Sequence, residues 1–175
     1  MAQTPSNMLP LGTKAPDFLL PASNFNTNFN FAECKGQKGT LVMFICNHCP
    51  YVIHINEALV ALADELKTKG IRVVAISSND AEKYPQDGPR AMELNARKMR
   101  YSFPYLYDRT QEIAKAYNAA CTPDFYLFNS DLKLTYRGQL DDSRPENGIP
   151  VTGKDMRSAL DSILNHTEIS ATQKP

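Results

Sequence analysis

Five consecutive apolar residues, Leu41-Val42-Met43-Phe44-Ile45, run without polar alternation into Cys46-Asn47-His48-Cys49-Pro50, and a long amphipathic pattern begins at once. An unbroken apolar run of this length fits a strand buried on both faces, the environment of a parallel sheet. From Pro50 to about Lys67, Val52, Ile55, Leu59, Leu62 and Leu66 recur at helical spacing, while Glu57, Asp64, Glu65 and Lys67 take other faces. Gly70 suits the helix C-terminus, and Ile71 to Ser77 is a second apolar strand. Strand, helix and strand in this order make half of an α/β sheet with a right-handed crossover.

The rest of the chain extends that unit. Short apolar pieces at Phe18-Leu19-Leu20 and Phe29 to Ala32, separated by Pro, Asn and Gly, predict short strands or a hairpin covering one end of the sheet. Asn79 to Gly88 reads as a loop. Pro89 then opens a helix to about Arg100, Tyr105-Leu106-Tyr107 is a short strand, and Thr110 to Asn118 is a short helix. Asp124 to Phe128 and Leu132 to Arg137 flank Asn129-Ser130-Asp131 as a hairpin, and Lys154 to Leu164 is a final amphipathic helix. No internal repeat breaks the pattern, so residues 11–166 are expected to form one domain, with 1–10 and 167–175 as flexible tails.

Nineteen basic and nineteen acidic side chains cancel, and no Lys or Arg run stands out. That balance argues against nucleic acid and anionic lipid as partners and for neutral or small-molecule ones. The N-terminal residues lack the basic start and apolar core of a signal peptide, and no apolar run approaches bilayer-spanning length, so a cytoplasmic location is expected. In that reducing setting four cysteines do not read as a structural disulfide framework; Cys-x-x-Cys beside a strand-helix-strand unit reads as catalytic or metal-binding.

The position of the dithiol favours catalysis. A helix N-terminus offers unpaired backbone N–H groups and a partial positive charge, both of which stabilise a thiolate, and His48 between the sulfurs adds positive charge when protonated. Cys46, at the strand-to-helix turn, is expected to be the more exposed sulfur and the nucleophile, with Cys49 facing inward as the resolving thiol. Cys121, two residues before Pro123, is a possible third redox thiol or a small core residue. Cys34 reads as a bystander, and His54 as a solvated helix residue. Cys46, His48, Cys49 and Cys121 are also the candidate ligands should the chain instead bind zinc or copper, although adjacent residues at a helix start rarely aim inward together.

Cys46-Asn47-His48-Cys49-Pro50-Tyr51-Val52, with a proline opening the hairpin, resembles the thioredoxin superfamily. Gly12-Thr13-Lys14-Ala15-Pro16-Asp17-Phe18 resembles the first segment of peroxiredoxins and bacterial thiol-disulfide reductases. Phe103-Pro104-Tyr105-Leu106-Tyr107-Asp108, Cys121-Thr122-Pro123-Asp124-Phe125 and Tyr136-Arg137-Gly138-Gln139-Leu140-Asp141-Asp142 are similar to peroxiredoxin-like thioredoxin family proteins. The resemblance implies a thioredoxin-like α/β fold: a central mixed sheet, helices on both faces, an N-terminal strand extension and a peroxiredoxin-type insertion. It also implies a cis-proline at Pro123 that, with Thr122, positions a bound substrate chain.

Residues and resemblance together point to a thiol-disulfide oxidoreductase with Cys46 and Cys49 catalytic, His48 modulating thiol ionisation, Thr122 and Pro123 positioning substrate, and no cofactor. Its partners would be protein or low-molecular-weight disulfides and thiols, and the chain a monomer or homodimer. Thioredoxin's buried acid has Thr40 in its place here. A divergent thiol peroxidase is the alternative enzyme, but the peroxiredoxin Pro-x-x-x-Thr-x-x-Cys pattern has Val42 for its proline and Cys46 for its threonine. A copper or zinc binding protein is the non-enzyme alternative.

Overall fold

The structure, a computed structural model, describes residues 4–175. Its elements in chain order are β1 (Leu19–Pro21), β2 (Asn28–Asn30), α1 (Phe31–Cys34), β3 (Gly39–Phe44), α2 (Pro50–Thr68), β4 (Ile71–Ser77), a 3-10 turn (Pro85–Asp87), α3 (Pro89–Met99), β5 (Tyr105–Tyr107), α4 (Glu112–Ala116), β6 (Asp124–Asn129), β7 (Leu134–Tyr136) and α5 (Lys154–Asn165). The five-stranded sheet has the order β5-β4-β3-β6-β7, with β3, β4 and β5 parallel and β6 and β7 antiparallel to their neighbours. This is the thioredoxin-like architecture that the motifs imply.

Every residue of β3 is buried, which is why its sequence shows no alternation. Leu41, Met43 and Ile45 pack on one face against Val52, Ile55 and Leu59 of α2, Met92 of α3 and Leu160 of α5. Val42 and Phe44 point the other way, into a layer with Phe31 of α1, Leu106, Tyr126 and Tyr117. Each such aliphatic or aromatic side chain removed from water contributes about 1.5–3 kcal/mol, so the strand that delivers the dithiol is fixed from both sides. β1 and β2 form the expected hairpin, bridged to the sheet edge through Ala22 and Leu106.

One feature departs from the sequence reading: Phe31 to Cys34 is helical, its start closed by reciprocal bonds between Asn30 and Glu33. Of the two expected tails, residues 1–3 lie outside the described residues, and the remainder includes specific contacts: Asn7 Nδ2 donates to Asn118 Oδ1 (2.9 Å), and the Gln139 N–H donates to the Lys174 carbonyl (2.8 Å).

Between β7 and α5 the chain is anchored by Asp141, which accepts from the backbone N–H groups of Ser143 (2.8 Å), Thr152 (2.6 Å) and Gly153 (2.6 Å) and from the Ser143 hydroxyl. Burial pushes its carboxyl up, but these donors prevail and hold it down, to about 2. A carboxylate whose pKa is depressed by folding contributes stability above its unfolded pKa and loses it as pH falls through the folded one. Urea titrations from pH 4 to pH 2 are therefore expected to show a steeper loss of unfolding free energy in the wild type than in Asp141→Asn, which cannot ionise.

Candidate active site

β3 ends at Phe44, and Ile45 and Cys46 carry the chain across the C-terminal edge of the sheet to Cys49, the N-cap of α2, with Pro50 at the first helical position. Proline suits that position because its missing N–H is one of the donors a helix start leaves unpaired. Opposite lies the turn before β6, where Thr122–Pro123 is a cis peptide bond. The structure thus brings together Cys46, His48, Cys49, Cys121, Thr122 and Pro123.

The exposure of the two sulfurs is the reverse of the sequence expectation. Cys46 is 2% exposed, whereas Cys49 is half-buried and lines a cavity of about 580 Å3 together with Tyr51, Cys121 and Pro123. The apolar strand draws Cys46 into the core before the turn begins, leaving the helix-cap position as the one that faces outward.

Ionisation follows the same order. The Cys46 thiol facing it holds the Cys49 pKa below that of an ordinary thiol, against the opposing effect of burial. The Thr122 hydroxyl and the backbone N–H groups of Val52 and Tyr51 assist, although no cap hydrogen bond to the sulfur is completed. Cys46 is pushed up, first by its contact with Cys49, then by burial, with Asp87 adding to both. Both directions favour the proton on Cys46 and the anion on Cys49, so the lowering expected at Cys46 falls three residues later. In the fully protonated pair, the Cys49 thiol donates to the Thr122 carbonyl (3.1 Å), and Cys46 Sγ lies 3.4 Å from the Thr122 hydroxyl.

Asp87, at the end of the 3-10 turn, was invisible to sequence reading. Its carboxylate is fully buried and accepts from the backbone N–H groups of Asn47 (2.8 Å) and His48 (3.3 Å), from His48 Nδ1 (2.5 Å) and from Asn79 Nδ2 (2.7 Å). Asn47 is held from further elements, donating to the Gln86 carbonyl (2.7 Å) and accepting from Asn95 (3.1 Å) and Tyr105 (3.2 Å). The loop between the cysteines is thereby pinned by the insertion after β4. His48 stacks on Tyr84, and its Nδ1 is 3.9 Å from Cys46 Sγ. Beside it Asp87 brings an anion that raises Cys46, the direction opposite to that expected of a positively charged His48. Only the fold singles out Asp87, because nothing in the Asp- and Asn-rich loop sequence distinguishes it from Asp80.

Among the described residues, Cys46, His48 and Asp87 are the cluster with ligand atoms close enough for a metal, all within 4.8 Å of one another. His48 Nδ1 and Asp87 Oδ2, however, are already bonded to each other, and an ion about 2.0–2.3 Å from each would have to force them apart. Burial, followed by the nearby Asp124, pushes Cys121 up to about 12, so it stands beside the cavity as a neutral thiol. Cys34 is likewise pushed up to about 12, by burial first, in the opposite layer of the core. His54 is not a solvated residue: it lines the cavity, and its shielded Nε2 has no partner among the described residues. A second depression, of about 720 Å3, lies at the other end of the sheet near Gly36, Lys67 and Gly70 and holds no cysteine or histidine.

The sequence pattern of the AhpC/TSA family matches residues 11–137. The structure is similar to that of an uncharacterized conserved protein from Geobacillus kaustophilus, with 54% identity, TM-score 0.98 and coverage of 100% of this chain and 93% of that one. It is also similar to a hypothetical protein from Sinorhizobium meliloti 1021, with 45% identity, TM-score 0.96 and coverage of 99% and 94%. More distantly, a thioredoxin family thiol:disulfide interchange protein from Chlorobium tepidum shares the fold at 16% identity and TM-score 0.67, covering 94% of this chain and 99% of that one. No curated protein matches the sequence.

Two measurements check the site. Ultraviolet titration of the reduced protein is expected to show a thiolate at neutral pH that disappears in Cys49→Ser and moves to higher pH in Cys46→Ala, which removes its hydrogen-bonding neighbour. Asp87→Ala, which strips a buried anion from four donors, is expected to lower unfolding free energy by roughly 3–5 kcal/mol in urea titrations.

Proposed function

The chain belongs to the AhpC/TSA family, and from that premise we propose that it is a thiol-disulfide oxidoreductase in which Cys49 attacks and Cys46 resolves. The observation that carries this reading is the pairing of an outward-facing, anion-favouring Cys49 with a buried, protonated Cys46 on the same turn. The family and the thioredoxin-like fold support a thiol redox function; the order of the two sulfurs comes from their burial and hydrogen bonding.

In the reducing direction the Cys49 thiolate attacks one sulfur of a partner disulfide, forming a mixed disulfide and expelling the other sulfur as a thiolate. That leaving thiolate takes up a proton. Cys46 then gives up its own proton and attacks the Cys49 sulfur, releasing the second half of the partner as a thiol and leaving a Cys46–Cys49 disulfide. Two electrons pass from the dithiol to the partner. The same steps in reverse oxidise a dithiol. Thr122, whose hydroxyl is within reach of Cys46 and whose carbonyl faces Cys49, together with Pro123, positions the partner. No organic cofactor enters, and a reducing, cytoplasmic setting suits the chemistry. Among the described residues, no helix is long and apolar enough to cross a membrane.

A peroxidase would use the same Cys49 thiolate, but Val42 and Cys46 stand where the peroxiredoxin pattern needs proline and threonine, so disulfide exchange is the reading preferred. The test is mass spectrometry after reaction with bis(2-hydroxyethyl) disulfide. Cys46→Ser should accumulate a mixed disulfide on Cys49, and Cys49→Ser should accumulate none. Adduct on Cys46 in Cys49→Ser, formed as fast as in the other variant, would overturn the assignment.

A further inference from the structure

We propose, building on the exchange chemistry above, that the natural partner of this dithiol is a low-molecular-weight disulfide rather than a polypeptide. The ground over which an extended protein chain would approach Thr122 and Pro123 is already taken by the protein's own N-terminal segment. Ser6 is seated between two buried charged groups: its hydroxyl donates to Asp124 Oδ1 (2.7 Å) and accepts from Arg137 Nη2 (2.6 Å), with Arg137 1% and Asp124 4% exposed. One residue on, Asn7 Nδ2 bonds both the side-chain and backbone oxygens of Asn118. The segment therefore runs beside residues 118–124, and Thr4, Pro5 and Ser6 wall the cavity that holds Cys49.

The C-terminal segment forms the facing wall. The Arg137 N–H donates to Gln173 Oε1 (2.7 Å), the Gln139 N–H to the Lys174 carbonyl (2.8 Å), and Pro175 reaches the cavity. The approach is so close at Gly138 that a Cβ there would lie 2.6 Å from the Lys174 oxygen, so the residue has to be glycine for the tail to seat. Between these walls remains a cavity of about 580 Å3, within the range of about 300–1,000 Å3 typical of small-molecule sites. A small disulfide fits between these walls to reach Cys49, whereas the seated N-terminal segment leaves an extended polypeptide no room beside Thr122 and Pro123.

The test is steady-state kinetics of the wild-type chain, re-reduced by a dithiol, with oxidised glutathione as the small probe and insulin as the protein probe. Size restriction predicts a kcat/KM roughly 100-fold higher for the small disulfide. It further predicts that Ser6→Ala with Asn7→Ala, which frees the N-terminal wall, narrows that ratio by raising the insulin rate. Comparable kcat/KM for the two probes in the wild type would overturn the restriction while leaving the exchange chemistry standing. No exchange with either probe would overturn the underlying thiol-exchange reading together with it.

Discussion

One proton, held unequally between two sulfurs at the junction of β3 and α2, is the interaction on which the rest of this protein's chemistry depends. A free thiol is mostly protonated at neutral pH and attacks disulfides slowly. Here the buried Cys46 keeps its proton and lends it as a hydrogen bond to Cys49. That single contact does two things: it stabilises the attacking anion and keeps the resolving thiol inert until the mixed disulfide has formed. When Cys49 enters a mixed disulfide its charge is lost, so the influence that raises Cys46 most is removed when Cys46 is needed as a thiolate.

The fold supplies what two cysteines on a flexible turn would lack. β3, packed on both faces, fixes where Cys46 leaves the sheet, and the segment after β4 returns to clamp the intervening residues through Asp87. Thr40, which the resemblance sets where thioredoxin carries a buried acid, accepts through its hydroxyl from the Gly36 N–H (3.0 Å). The carboxylate near the dithiol comes instead from a different element and touches the backbone of Asn47 and His48. It therefore acts as a positioning group for the loop, and as a negative charge that helps to keep the proton on Cys46.

The strand-helix-strand unit was legible in the sequence because continuous burial and helical periodicity each leave a local signature, and α2 begins and ends within a residue or so of the expected bounds. The members of the site were legible for a similar reason: Cys-x-x-Cys-Pro and Thr-Pro are contiguous motifs. The ranking of the two sulfurs was not. It depends on how deep the end of β3 sits and on the buried Asp87 carboxylate that a distant loop brings toward Cys46, quantities that no spacing rule carries. Asp87 escaped notice because it meets its partners across 39 and 40 residues of sequence. Ser6 and Lys174 read as tail residues because polar, Pro-containing termini look loose until a glycine such as Gly138 and a buried arginine such as Arg137 are seen to receive them.

Whether Cys49 carries the anion is tested most directly by chemistry that reports the thiolate itself. Reduced wild-type protein is treated with a single equivalent of iodoacetamide at mildly acidic pH, and the labelled peptide is identified by mass spectrometry. Carbamidomethylation is expected at Cys49, with Cys46, Cys121 and Cys34 left unmodified. Label found first on Cys46 would contradict the assignment.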